Sequence, residues 1–433
     1  MDEIYLDNHA TTRTDPRVVD GMLPWMLDEY ANSGSTTHAP GRRVAAKLDE
    51  CRANIAKQFG TEPDGIVFTS GATESVNLAI LGVALHPRQK RRKIVSVVTE
   101  HRAVLDPLKR LERFGFEVIR LGLETQDPAT IGMLKIDEVE RAIDGDTALV
   151  SVMLGNNEIG TLQPFSALSA ICRQQGAILH TDATQAVGKV PVDIVGIGAD
   201  LLSFSSHKFY GPKGIGGLVI HPDSMSLPIQ PQILGGGQQQ NLRSGTLNSV
   251  GVVGTEIALT IAIETMVEET ARIASLRELL WSELKKRIEG LRLNGPLWTG
   301  PLRGQQLHGQ QLHGQQLQGQ QSSRLQPGPT DSGSHSVAGL HPARLPGNLN
   351  VCFPRVDGQS LMLRVPQLAV SSGSACTSAE PLPSHVLMAI GRSEDEARGS
   401  MRFGIGRFNT ESEILRAADV LGKAYEDLSR FVA

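Results

Sequence analysis

Residues Asp200 to Gly214 read D-L-L-S-F-S-S-H-K-F-Y-G-P-K-G. The run Leu201-Leu202-Ser203-Phe204 reads as a buried strand that breaks into small polar residues and ends in glycines. Lys208 stands where strand gives way to loop, led in by Ser205, Ser206 and His207 and followed by Phe209 and Tyr210. A lysine is ordinarily a solvated surface charge. A desolvated amine loses part of its preference for protonation, and a neutral amine attacks carbonyl carbon. On this stretch alone both readings stay open.

Outward from it, strands and helices alternate. Strands are expected at Ile66–Thr69, Lys93–Val98, Glu117–Leu121, Ala148–Met153, Ala177–His180 and Leu218–Ile220, with helices between them. That alternation predicts an α/β fold with a mostly parallel sheet covered by helices. Earlier, helices are expected from Asp15-Pro16 to about Tyr30 and from Arg42 to Phe59. From about Val250 one long helix is expected to reach Ile288, followed by a smaller α+β region and a last helix opened by the capping box of Thr410 and Glu413. Gly304 to Gln321 repeats G-Q-Q-L-H at period five, which matches neither a helix nor a strand. Residues 301–340 are therefore expected to be a disordered surface insertion.

Composition narrows the class. Of 433 residues, 40% are hydrophobic and only 4% aromatic, which suits an aliphatic α/β core. A net charge of -4 provides no global basic field for nucleic acid or an anionic membrane. Cys51, Cys172, Cys352 and Cys376 form no C-x-x-C pair and are too sparse for a disulfide scaffold, so an intracellular, cytoplasmic protein is expected. Met1-Asp2-Glu3 is acidic, with neither a basic region nor an apolar run after it, so no signal peptide is expected. Val250–Val267 is interrupted by Glu256 and Glu264 and reads as a core helix, not a membrane span. His308 and His313 lie in an acid-free tract, and no metal site is expected.

Several polar groups follow predicted strands: Asp182 and Gln185 in H-T-D-A-T-Q, the turn Gly71-Ala72-Thr73, His101 in T-E-H-R, and Asn156-Asn157-Glu158. In an open α/β sheet the carboxyl ends share one edge, so these groups converge there with Lys208. A carboxylate at Asp182 suits the pyridine nitrogen of pyridoxal phosphate, though a helix cap is the plainer reading. Gly71-Ala72-Thr73 is a phosphate cradle at a helix start, to which Ser205 and His207 add donors. His101 is placed either to stack on a ring or to cap a helix. Cys376 differs from the other cysteines, for S-S-G-S-A-C-T-S surrounds it with nothing bulky and leaves it exposed.

These motifs together resemble the cysteine desulfurases, pyridoxal phosphate enzymes of fold type I in the class V aminotransferase group. The matching stretches are Y-L-D-N-H-A-T-T, G-A-T-E-S-V-N-L-A-I, T-E-H-R-A-V-L-D, N-N-E-I-G, H-T-D-A-T-Q-A-V-G-K, S-S-H-K-F-Y-G-P-K-G-I-G, R-S-G-T, S-S-G-S-A-C-T-S and M-R-F-G-I-G-R-F, in the family's order. The long cysteine loop is similar to that of the first group, which supplies sulfur to iron–sulfur scaffolds and to RNA thiolation. The resemblance implies a seven-stranded-type sheet in a large domain at 16–258. It implies a small domain at 259–433 carrying the cysteine loop 371–378, joined by an N-terminal segment 1–15.

It also implies roles. Lys208 carries the cofactor, Asp182 pairs with the ring nitrogen, Gln185 and Asn157 contact the ring-oxygen side, and His101 stacks on the ring. Ala72, Thr73, Ser205 and His207 hold the phosphate. Thr246 reaches the phosphate of a partner subunit, which implies a homodimer. Arg402 forks onto the carboxylate of L-cysteine, and Cys376 carries the persulfide to an iron–sulfur scaffold or other acceptor protein. Another class V enzyme, a transaminase or selenocysteine lyase, would not need Cys376 in this loop, and a non-enzymatic sulfur relay would not need Lys208 and Asp182. Three departures stand out: His9, where a small or amide residue is usual; Asn32-Ser33-Gly34-Ser35, without the proline common there; and the Gln-rich insertion.

Overall fold

The computed structural model of the chain describes residues 3–297, 343–372 and 382–430, so Cys376 and the whole stretch 301–340 lie outside the described residues. In chain order the strands are β1 (Ile4–Tyr5), β2 (Ile66–Thr69), β3 (Lys93–Val97), β4 (Glu117–Leu121), β5 (Thr147–Ser151) and β6 (Ile178–Asp182). Then come β7 (Leu201–Ser205), β8 (Gly216–Ile220), β9 (Arg292–Asn294), β10 (Asn348–Cys352), β11 (Leu368–Ala369), β12 (Ser371–Ser372) and β13 (Ser400–Gly404).

The main sheet has seven strands in the order β2-β8-β7-β6-β5-β3-β4. Only β8 runs against the others, being antiparallel to both β2 and β7. The inner strands are mostly apolar or small, His180 and Asp182 of β6 aside, and are buried at nearly every position, as strands covered on both faces must be. One face packs residues such as Phe59, Val150, Leu202 and Ala262; the other packs Val76, Ile80, Leu149 and Leu218. The reversed β8 depends on two glycines. A Cβ at Gly216 would lie 2.3 Å from the Phe204 carbonyl oxygen and 2.8 Å from the Cα of Gly71, and one at Gly217 would lie 2.7 Å from the Phe204 ring.

A second core gathers Ile4, Leu6, Leu280, Leu284, Val351, Phe403 and Leu421 around the antiparallel sheet β12-β13-β10-β9. The chain's beginning belongs to it, because β1 pairs in parallel with β11, Ile4 opposite Leu368. The last helix, Glu411–Ser429, starts at the expected capping box of Thr410 and Glu413.

The single helix expected from Val250 to Ile288 is two helices, Ser249–Glu264 and Met266–Arg287, bent by 74°. Thr265 sits at the break and its hydroxyl donates to the Ile261 carbonyl at 2.8 Å, a back-bond that distorts a helix. Among the described residues no single helix is long and apolar enough to cross a membrane.

Candidate active site

β2, β3, β5, β6 and β7 run in the same direction, so the residues just beyond them meet at one edge of the sheet. There a cleft of about 630 Å³ is lined by Ala72, Thr73, His101, Asn157, Asp182, Gln185, Ser205, His207, Lys208 and Arg402, among others. Ten of the expected site residues are thus brought together. Thr246 is not among them; it is exposed and lies outside this cleft.

Lys208 ends a 3-10 turn, Ser206–Lys208, directly after β7. Its amine donates to the carbonyls of His9 and Ala10, both at 2.6 Å. The chain then turns sharply at Tyr210, a non-glycine residue held at φ 68°. Three bonds hold it there: its N–H donates to Thr12 Oγ1 at 2.9 Å, its hydroxyl accepts from the Arg407 N–H at 2.6 Å, and its carbonyl accepts from the Asp15 N–H at 2.9 Å. The strain next to Lys208 is therefore carried by the N-terminal segment and the second core.

Asp182 closes β6 and caps no helix. Its Oδ1 accepts from the Thr184 N–H at 3.0 Å in a tight turn. Beneath it His180 is buried between Ser151 and Ser203, 2.9 Å from each hydroxyl. Burial pulls that imidazole down to about 4, against the charge of Asp182. His101 caps the helix Arg102–Arg113 through Nδ1, which accepts from the Ala103 N–H at 3.1 Å, and it also lines the cleft. Nδ1 is thus the unprotonated nitrogen, and burial lowers the ring's proton affinity further.

At the other end of the cleft the helix Ala72–Ala84 begins. Its N-cap is Gly71, at φ 147°, which has no side chain to cap the first-turn N–H groups. Ser205 closes in from β7; a Cβ at Gly71 would already stand 3.4 Å from its hydroxyl. His207 faces Thr11 Oγ1 at 3.0 Å, and burial followed by the charge of Lys208 pulls its ring down to about 4. The result is a set of neutral donors around an uncapped helix start, which suits a phosphate.

Arg402, on β13, donates to Asp7 Oδ1 at 2.9 Å, to Ser371 Oγ at 3.1 Å and to the Asn157 carbonyl at 3.3 Å. Its Nε is buried without a partner. The Thr184 hydroxyl and His9 Nε2, which also belong to residues lining the cleft, are buried and unpartnered too. Unspent donors and acceptors around one cleft, a lysine at a strand end and a carboxylate beside it fit pyridoxal phosphate. Among the described residues no group of three or more His, Cys, Asp or Glu could hold a metal ion.

Some participants were not singled out from the sequence. Asp7 pairs with Arg402. The Glu158 carboxyl accepts from the hydroxyl of Ser384, and the His385 ring faces the Glu100 carbonyl at 3.1 Å; this docks the stretch after residue 381 onto the sheet edge. Burial pushes Glu158 up to about 7 against that hydrogen bond and the Arg402 charge. Lys189, four residues on, reaches Gln185. Glu158 belongs to the strand-end group Asn156-Asn157-Glu158 named above, without a role of its own, and Lys189 stands within a motif already quoted, where nothing local distinguishes it from a solvated charge.

A lysine-bearing cleft at this edge of such a sheet defines a pyridoxal-phosphate enzyme of fold type I. The aminotransferase class-V family model matches residues 4–304. The chain is 40% identical to the cysteine desulfurase IscS of Anaeromyxobacter sp. (strain K), over 98% of this chain and 93% of that protein. It is 42% identical to the mitochondrial cysteine desulfurase of Arthroderma benhamiae, over 96% of this chain and 73% of that one. Among solved structures, a NifS-like protein is 32% identical and superposes with a TM-score of 0.79 over 99% of both chains. The chain belongs to the class V aminotransferases, which use pyridoxal phosphate, and within them to the cysteine desulfurases.

Proposed function

We propose that the protein takes sulfur from L-cysteine, releases L-alanine and holds the sulfur as a persulfide on Cys376 for delivery to an acceptor protein. The observation that carries this is the single cleft into which Thr73, His101, Asp182, Lys208 and Arg402 all open.

Bound pyridoxal phosphate supplies a sink for the electrons left when the substrate's Cα–H bond breaks. Lys208 holds it and moves the Cα proton. Asp182 keeps the ring nitrogen protonated, Gln185 and Asn157 lie at the ring-oxygen side, and His101 covers the ring. Ala72, Thr73, Ser205 and His207 hold the phosphate. Arg402 orients the substrate carboxylate, for which its unpartnered Nε is one free donor. The Cys376 thiolate attacks the substrate sulfur; the S–S bond forms as the C–S bond breaks, and the carbon fragment takes up protons to become alanine. Thr246, exposed and outside this cleft, reaches the phosphate of a second copy in a homodimer. Residues 16–258 make the cofactor domain and 259–433 the small domain, with 1–15 joining the latter. The acceptor is an iron–sulfur scaffold or thiolation protein, in the cytoplasm or an equivalent compartment.

The test is product analysis with L-cysteine and a reductant. Alanine and sulfide in equal amounts support the reading; a keto acid in place of alanine makes the protein a transaminase.

A further inference from the structure

We propose that His9 and Lys189 are positioning residues that lock the amide of Gln185 in one orientation, so that a single N–H is all it can offer the cofactor's ring oxygen. This rests on the reading of Gln185 as the ring-oxygen contact.

The geometry is a closed set of three hydrogen bonds. Gln185 Nε2 donates to the His9 carbonyl at 2.9 Å. Gln185 Oε1 lies 2.9 Å from His9 Nδ1 and accepts from the Lys189 amine at 3.0 Å. A backbone carbonyl only accepts, so the end of the amide facing it must be the nitrogen. The oxygen then faces His9 Nδ1, which must carry the proton because an amide oxygen only accepts. His9 Nε2 is accordingly the bare nitrogen, and it is buried and unpartnered. Burial first, then the charges of Lys189 and Arg402, hold the ring neutral against the Gln185 hydrogen bond, with Lys208 adding to the effect. Flipping the amide would set carbonyl against carbonyl at His9 and N–H against N–H at Nδ1.

The remaining capacity follows by counting. An amide oxygen has two lone pairs and an amide nitrogen two protons. His9 and Lys189 take both lone pairs, and the His9 carbonyl takes one proton. One N–H is left, on a residue that lines the cleft. The His9 carbonyl also accepts from Lys208 at 2.6 Å, so one backbone oxygen registers both side chains. The histidine at position 9, one of the departures from the family pattern, thus adds a donor that a small residue there would lack.

The holoenzyme tests this through the pH midpoint of the bound cofactor's absorbance. An N–H on the ring oxygen draws charge from it and weakens its hold on the proton shared with the neighbouring nitrogen, so loss of the N–H raises the midpoint. Gln185→Ala should raise it by about half a unit to one unit, the worth of one neutral hydrogen bond. The double variant His9→Ala, Lys189→Met should raise it by at least about half as much, with Gln185 intact. Lys189→Gln, which keeps a side-chain N–H donor, should stay closer to the wild type than Lys189→Met, separating orientation from general loosening. If Gln185→Ala leaves the midpoint unmoved, the reading of Gln185 as the ring-oxygen contact falls. If Gln185→Ala moves it and the double variant does not, that reading stands and the positioning role of His9 and Lys189 is wrong.

Discussion

Arg402 Nη2 and Asp7 Oδ1 are 2.9 Å apart, in a pair whose side chains are 7% and 18% exposed, so the arginine offered to the substrate carboxylate already holds a carboxylate of its own chain. Asp7 follows β1 and Arg402 lies on β13, and the pair ties the N-terminal segment to the second core. A substrate carboxylate must share or displace Asp7. Asp7→Asn should therefore lower KM for L-cysteine several-fold while costing about 1–3 kcal/mol of stability, because a charged acceptor is lost from a desolvated site. Steady-state kinetics and thermal unfolding measure the two effects. An unchanged or raised KM would show that Asp7 does not compete.

Lys208→Ala should abolish turnover and leave any cofactor removable by gel filtration. Borohydride treatment of the wild type should fix the cofactor to the protein, and the same treatment of the variant should fix none. Label retained on the variant would move the attachment to another lysine.

Cys376→Ser should separate the two halves of the chemistry, since a serine hydroxyl forms no persulfide. Addition of L-cysteine should still change the cofactor absorbance, while alanine falls to background and no ³⁵S remains on the protein. Cys51, Cys172 and Cys352 are buried; burial raises all three thiols, those of Cys51 and Cys172 to about 12, which disfavours the thiolate at each. Their replacement by Ala should leave the label on the peptide holding Cys376.

Removal of residues 301–340 should leave fold and turnover intact. The flanking chain is already stitched together, with Arg344 buried and donating to the Pro296 carbonyl at 3.0 Å and to Asn348 Oδ1 at 3.0 Å. The closure cost of a loop changes slowly with its length. A Tm within about 3 °C of the full chain is expected; a fall beyond about 5 °C would mean the segment contributes to the folded core.

Acid should unfold the protein partly through His180. Its folded value, about 4, lies below its unfolded one near 6.5, so the unfolded chain binds the extra proton. The neutral ring's advantage is full above pH ~6.5 and is lost as pH falls toward about 4. Two to three units correspond to roughly 3 kcal/mol as an order of magnitude. Urea unfolding at pH 7.5 and pH 5 should show a smaller pH-dependent loss for His180→Asn than for the wild type. Equal losses would exclude His180 as the source.

The strand–helix alternation, the turn at Gly71, the end of β7 just before Lys208 and the capping box at Thr410 were legible in the chain because each is written within a few residues. Apolar runs make buried strands, and small residues make turns where strands stop. A shared strand direction then brings Asp182, His101 and Lys208 to one edge without any knowledge of side-chain contacts. What is not local was not legible. The chain around Thr265 carries no glycine or proline to mark the 74° bend there. The pairing of Asp7 with Arg402 and the closed set of His9, Gln185 and Lys189 join residues 395 and 176 positions apart. A sequence specifies which groups can donate and accept; only packing removes water from them and fixes which partners each keeps. Tertiary structure alone decides that the amide of Gln185 is held by His9 and that Arg402 keeps a buried, unspent N–H.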